Sequence, residues 1–166
     1  GFDIPFNPRT DPFETLSKIL IHDTARNKLI LRDVIGELNK GKKVVIITER
    51  REHINTLNQM LKQSFEVITL SGADSDSSKK TKWNLLKAGQ FQAVITTGQF
   101  FGEGTDLQSI SRLFLVYPFS FKGKLIQYIG RVQRGEIRPV VYDYRDQKVN
   151  YLDRLFLNRN KYYRHL

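Results

Sequence analysis

The chain is 166 residues long, the length of one domain, and a domain of that size buries about two thirds of its unfolded surface without staples. Apolar residues make up 40% and charged residues 27%, as in an ordinary globular protein. The lack of cysteine excludes disulfides, thiolate zinc sites, iron–sulfur clusters and a cysteine nucleophile. No apolar run approaches the ~18 residues of a membrane span. No charged-then-apolar leader opens the chain, which predicts a cytoplasmic protein, and it begins at Gly1 rather than Met, which predicts a piece of a longer one.

The formal net charge of +10 is uneven: from Phe121 onward 11 Lys/Arg stand against 4 Asp/Glu, whereas the first 120 residues hold 16 against 13. A basic C-terminal third suggests a polyanionic partner, nucleic acid, nucleotide or both; a solvated basic face with no partner is the plainer alternative.

In chain order, residues 1 to about 14 carry three prolines and no sustained period, so they read as an arm or linker. Ala25, Leu29, Ile30, Val34 and Leu38 fall at helical spacing, with Gly41 as a stop. The β-branched, non-alternating run Val44–Thr48 predicts a strand buried on both faces of a parallel sheet. Ile54, Leu57, Met60 and Leu61 mark a second helix, Phe65–Leu70 a second strand, and Ser71–Asp76 a polar loop. Ser78–Ala88, with Trp83, Leu85 and Leu86, reads as a helix, Phe91–Thr96 as a third strand and Leu113–Tyr117 as a fourth. Lys124–Arg134 is a predicted helix, Pro139–Tyr144 a fifth strand and Tyr151–Tyr163 a closing helix whose apolar side is Leu152, Leu155 and Phe156. Strands separated by helices predict an open α/β fold with a mostly parallel sheet flanked by helices. Its ligand site belongs beyond the carboxyl ends of the strands, in the loops after Thr48, Leu70, Thr96 and Tyr117.

Several motifs are absent or incomplete. Gly41-Lys42-Lys43 lacks the hydroxyl residue and the earlier glycine of a phosphate loop and precedes its strand, so it reads as a helix-to-strand turn. His22, His53 and His165 lack ligand-type neighbours at useful spacing, and no metal site is expected. No Gly-x-Ser-x-Gly elbow anchors a hydrolase triad.

Two segments carry chemistry. Thr96 and Thr97 end a strand, where hydroxyls can bond a phosphate backbone; Gly102 and Gly104 then permit close approach, and Asp106 can accept from a ribose hydroxyl. A glycine-rich turn with an Asp cap is the competing reading. In Gln127-Tyr128-Ile129-Gly130-Arg131-Val132-Gln133-Arg134, a helix puts Gln127, Arg131 and Arg134 on one face. Two adjacent guanidiniums call for an anion, and a triphosphate suits their fork geometry. So placed, they can stabilise charge developing in phosphoryl transfer. A solvated basic helix is the alternative.

The Gln-x-x-Gly-Arg-x-x-Arg segment resembles motif VI of superfamily 2 helicases and translocases. Val94–Asp106 resembles motif V, and Val44–His53 is similar to motif IV. With Gly102–Leu107, Phe119–Gly123 and Tyr142–Tyr144 in this order, the likeness is closest to the bacterial DEAD/DEAH-type branch related to Ssl2/XPB, and it runs from about Asp23 to the C-terminus. The resemblance implies a RecA-like second lobe over residues 23–166, entered by a linker at 1–22 from an upstream first lobe. It implies Arg131 and Arg134 as arginine fingers toward ATP, assisted by Gln127, with Gly104, Asp106 and Gly130 near the nucleotide. Arg50, Ser71, Gly72, Thr96 and Thr97 would grip a DNA or RNA backbone. ATP and Mg2+ would be held mainly by the first lobe, because this chain has neither a Walker A lysine nor DEAD/DEAH carboxylates; the piece alone is expected to hydrolyse nothing. The implied setting is cytoplasmic and bacterial, near the nucleoid, with no membrane partner. A non-catalytic nucleic-acid-binding module, and the motor lobe of a restriction or defence complex, are the other readings.

Overall fold

The structure, a computed structural model, describes residues 19–98, 110–117, 139–146 and 150–164. Its elements in chain order are α1 (Thr24–Asn39), β1 (Lys43–Thr48), α2 (Arg51–Leu61), β2 (Val67–Leu70), α3 (Asp76–Lys87), β3 (Ala93–Thr97), β4 (Ile110–Leu115), β5 (Val140–Asp143) and α4 (Asn150–Tyr163). The strands form one five-stranded sheet in the order β2-β3-β1-β4-β5, and every neighbouring pair is parallel.

Local chemistry sets the helix ends. Asp23 caps α1 by accepting from the Arg26 N–H, and Ser75 caps α3 by accepting from the Ser78 N–H, each meeting one of the donors a helix start leaves unpaired. Gly41, at φ +77°, turns the chain from α1 into β1, a left-handed conformation that favours glycine; the Gly41-Lys42-Lys43 segment is thus the helix-to-strand turn its sequence suggests.

Successive residues of a strand face opposite sides, and both sides of this sheet are covered. Val44, Ile46, Ala93, Ile95, Phe114 and Val116 pack beneath Ile30, Val34 and Leu38 of α1 and Ile54, Leu57 and Leu61 of α2. Val45, Ile47, Ile68, Leu70, Val94, Leu113 and Leu115 pack against Leu86 of α3, with Trp83, Leu85 and Tyr163 half-buried around them. The central strand β1 is therefore buried from Val44 to Thr48, which is why it reads as an unbroken apolar run rather than an alternating one.

Several expectations shift. Leu29 and Met60, which helped mark these helices by their spacing, are exposed: the buried stripe of α1 runs through Arg26, Asn27, Ile30, Val34, Glu37 and Leu38, and that of α2 through His53, Ile54, Leu57 and Leu61. Strand β2 begins at Val67 rather than Phe65, and α3 begins at Asp76 rather than Ser78, because Ser75 supplies its cap. Strand β4 begins at Ile110, not Leu113. Its first residues pair with β1 through a register irregularity between Lys43 and Val44, and Arg112 reaches Glu37 of α1, so polar residues interrupt the apolar pattern where the strand starts. In the closing helix Leu152 is buried while Leu155 and Phe156 are half-buried. Arg159, one of the basic residues of the C-terminal third, is 1% exposed, bonding Asp143 at 2.7 and 2.9 Å.

Candidate functional site at the carboxyl edge of the sheet

Chain direction decides where the site lies. After β1 the chain turns toward β2, on one side of the sheet, and after β4 it proceeds to β5, on the other. The carboxyl ends of β1 and β4, which are hydrogen-bonded neighbours, therefore flank the point where the strand order reverses, the usual ligand crevice of an open α/β sheet.

The candidate backbone-gripping residues occupy the carboxyl ends of three adjacent strands: Ser71 and Gly72 follow β2, Thr96 and Thr97 end β3, and Arg50 follows β1. They differ in availability. Thr96 is buried and its hydroxyl donates to the Thr97 carbonyl at 3.0 Å, so Thr97, half-buried at the end of the strand, is the member of the pair that reaches the edge. Gly72 is exposed and has open space where a Cβ would stand. The loop carrying it is held by Asp74, which accepts from the Ser71 N–H at 3.2 Å and from the Lys82 ammonium at 3.1 Å, while Lys82 also donates to the Thr69 carbonyl at 2.6 Å. Between this loop and the start of α2 is a cleft of about 210 Å³ lined by Arg51, Asn55, Thr69, Ser71 and Asp74 among others. Arg50 occupies the N-cap position of α2 and its side chain makes no cap bond; it reaches instead across the strand-order reversal, donating from Nε to the Tyr117 hydroxyl at 3.3 Å.

Beneath Arg50 lies a buried polar cluster that sequence spacing did not reveal. His53 is 1% exposed, with Nδ1 2.9 Å from the Thr48 hydroxyl and Nε2 3.3 Å from Asn27 Oδ1. The Asn27 amide nitrogen donates to the Ile21 carbonyl at 2.8 Å, which leaves Oδ1 as the end facing the histidine. An acceptor there requires a donor, so Nε2 carries the proton and Nδ1 accepts from the Thr48 hydroxyl. That pattern holds only for the neutral ring. Burial, then the charges of Arg26 and His22, push the His53 pKa down to about 3. Beside it, Arg26 binds Asp146 through Nε at 2.9 Å and Nη2 at 3.2 Å, and donates from Nη1 to the Val116 carbonyl at 2.7 Å. The one sequence signal for this cluster is a run of polar residues, Arg26, Asn27 and His53, on the faces of α1 and α2 that the apolar stripes turn inward.

Gln127, Gly130, Arg131 and Arg134, together with Gly104 and Asp106, lie outside the described residues. Among the described residues no group of three or more His, Cys, Asp or Glu side chains is arranged to hold a metal, and no helix is long and apolar enough to cross a membrane.

The model of the helicase conserved C-terminal domain matches residues 26–136, from Arg26 of the buried cluster to just past Arg134. The chain belongs to the helicase C-terminal domain family. It is 28% identical over 121 residues to the transcript termination protein OPG145 of variola virus, and 27% identical over the same length to the transcript termination protein A18 of vaccinia virus. Each alignment takes in 70% of this chain and 24% of the relative, so the helicase C-terminal chain spans about a quarter of the length of those proteins. Among solved structures it is similar to UvsW of T4, with a TM-score of 0.72 and 19% identity over 95% of this chain and 36% of that one. It is also similar to Dbp5 of S. cerevisiae bound to RNA and ADP–BeF3, with a TM-score of 0.63 and 18% identity over 80% of this chain and 36% of that one. The parallel sheet flanked by helices is thus the RecA-like fold of helicase C-terminal domains.

Proposed function

We propose that this domain is the second lobe of an ATP-dependent nucleic-acid motor, a helicase or translocase. In this reading Arg131 and Arg134, with Gln127 beside them, complete an ATP site whose phosphate cradle and Mg2+ belong to a first lobe. Gly104, Asp106 and Gly130 border the nucleotide, and Arg50, Thr97, Ser71 and Gly72 hold a DNA or RNA backbone. The observation that carries it is the family match from residue 26 to 136, which takes in the segment with both arginines at helical spacing.

Further support comes from the carboxyl edge. A helix start with arginines at its N-cap and first position offers backbone N–H donors and guanidinium charge together, the complement of a phosphate. Contacts of that kind bind nucleic acid with little regard to sequence and weaken steeply as salt rises. The chemical step needs both lobes: the arginines balance charge building on the transferred phosphoryl group, while the cradle and the metal hold its oxygens. Cleft closure on ATP and opening after hydrolysis then move the two lobes along a strand. The relatives agree with this reading, since the poxvirus proteins are transcript termination proteins and the yeast Dbp5 structure holds RNA with ADP–BeF3. The bacterial Ssl2/XPB-like branch is our assignment within the superfamily, resting on the order of the motif segments alone.

The test is ATP hydrolysis by the intact protein with and without single-stranded oligodeoxythymidylate or oligouridylate. Turnover raised by either polymer is the expected result. Hydrolysis indifferent to both, or none at all, overturns the motor reading and leaves a nucleic-acid-binding module.

A further inference from the structure

Charge divides the two sides of the sheet unequally. Helices α1 and α2, over one side, carry four basic residues against three acidic ones. Helices α3 and α4, over the other, carry seven against two, Asp76 and Asp153. The excess is turned outward. Lys80, Asn84 and Lys87 of α3 fall at i, i+4 and i+7, and so do Arg154, Asn158 and Lys161 of α4, so each trio shares one helix face. All six are exposed, as is Arg164 just past the end of α4.

The nearby carboxylates are engaged elsewhere: Asp74 with Lys82, Asp143 with Arg159 and Asp153 with Arg145. Among the described residues none pairs with Lys80, Lys87, Arg154, Lys161 or Arg164. The helix dipole supports Lys87 and Lys161, which lie in last turns, but gives nothing to Lys80 and Arg154 in the first half of each helix. A surface that serves solubility alone intersperses both signs, whereas cations gathered on one side repel until an anion comes between them.

We infer that the outer face of α3 and α4 binds the backbone of double-stranded nucleic acid. This rests on the nucleic-acid part of the motor reading, and adds to the strand gripped at the carboxyl edge a second contact, to the duplex that strand belongs to. Both helices run back from that edge. α3 passes along β2, with Lys82 bonding the Thr69 carbonyl at 2.6 Å and Leu85 sharing a cleft with Val67 and Ile68. α4 passes along β5, with Asp153 beside Arg145 and Arg159 beside Asp143. Nucleic acid held at Ser71 and Gly72 therefore lies at the head of the α3 stripe.

The chemistry favours a duplex over an unpaired strand. Single-strand sites add aromatic platforms on which bases stack, but Trp83 and Tyr163 pack toward the core, and Phe156 lies under the Arg145 and Arg159 guanidiniums. What faces outward is long cations and amides, the cations of each trio about 10 Å apart along the helix, which reach phosphates rather than bases. A duplex, with one charge per about 1.7 Å of its axis, offers phosphates to both stripes at once.

The experiment measures, with the intact protein, affinity for blunt DNA and RNA duplexes and for oligodeoxythymidylate and oligouridylate across a range of salt. One variant removes four charges from the face, by Lys80→Gln, Lys87→Gln, Arg154→Gln and Lys161→Gln. A control removes four from exposed positions on and beside α1 and α2, by Lys28→Gln, Arg32→Gln, Lys42→Gln and Lys62→Gln. The face variant is expected to lose duplex affinity on the order of 100-fold, and its slope of log affinity against log salt to shrink by about 3 to 4, each lost phosphate contact counting for about 0.9. Its single-strand affinity, and the control's duplex affinity, are expected to stay within about threefold of the wild type. Unchanged duplex affinity in the face variant overturns the inference. So does an equal loss in the control, which marks bulk charge, or an equal loss for single strands, which makes the face part of the strand grip. A wild type that binds single strands but no duplex brings down this inference alone; one that binds neither brings down the nucleic-acid reading with it.

Discussion

Arg26 and Asp146 stand 120 positions apart in the chain and share a two-pronged ion pair, with Nε to Oδ1 at 2.9 Å and Nη2 to Oδ2 at 3.2 Å. The same guanidinium bonds the Val116 carbonyl, so one side chain from the start of α1 ties together the exits of β4 and β5. Only 6% of Arg26 is exposed, and such a pair is costly to break from one side because the remaining charge stays desolvated. Arg26→Ala is expected to lower stability by about 3–5 kcal/mol, read by urea unfolding. Arg26→Lys recovers little of it, because a single ammonium cannot reproduce the planar fork.

Farther along α1, Glu37 anchors the other end of the same helix. It accepts from Arg112 at 2.6 Å and from the Tyr142 hydroxyl at 2.6 Å, while Asp33, one turn earlier, accepts from Tyr144 at 3.0 Å. Burial raises the Glu37 pKa, but the hydrogen bonds from Tyr142 and Arg112 and the Arg112 charge outweigh it, so the carboxyl stays below its ordinary value. The Tyr142 hydroxyl is pushed up in turn, first by its bond to Glu37 and then by burial. Glu37→Met strands Arg112 and is expected to cost about 3–5 kcal/mol, whereas Glu37→Met combined with Arg112→Met is expected to return most of that loss. Urea melts of the wild type and the two variants decide it; a double variant as unstable as the single one contradicts the account.

His53 makes stability depend on pH in a stated direction. The folded imidazole stays neutral down to about 3, against an ordinary value of 6.5, so between those limits the unfolded chain binds more protons. Its contribution is complete above about pH 6.5 and is lost as the pH falls toward 3, with a slope of up to about 1.4 kcal/mol per pH unit. Glu37 and Asp153, whose pKa values are lowered from 4.5 and 3.8, add to the loss only as the pH falls through those ordinary values. The expected result is therefore a decline in unfolding free energy already evident between pH 6.5 and 4.5, and a flatter profile in His53→Gln. A wild-type profile level across that interval contradicts the buried, neutral ring.

How much of this could be read from the residues follows from how local each signal is. Val44–Thr48 announces a doubly covered strand because five consecutive side chains are buried there, and Gly41 marks its turn by itself. The helices at 24–39 and 51–61 are equally plain as helices, yet Leu29 and Met60, apolar at helical spacing, are exposed, since spacing alone does not say which flank of an apolar stripe meets the sheet. Arg26, Asn27, His53 and Asp146 were not legible as a site. Their partners lie on other elements, and a histidine between Glu52 and Ile54 looks like any polar residue of an amphipathic helix until Thr48 and Asn27 are brought to it. Arg159 misled for the same reason: it counts as surplus charge in a basic helix, but its carboxylate partner, Asp143, comes from a neighbouring strand. The motif-bearing segment with Gln127, Gly130, Arg131 and Arg134 was legible by spacing and resemblance, and lies outside the described residues.

The central claim is that this lobe supplies an arginine to ATP held elsewhere. Its most direct test is kcat for ATP hydrolysis by the intact protein, with single-stranded nucleic acid present, for the wild type and for Arg134→Ala. The account predicts a fall on the order of 10³-fold or more, the scale of a lost arginine finger, with nucleic-acid affinity largely retained. A loss of less than about tenfold, or one matched by an equal loss of nucleic-acid binding, contradicts it.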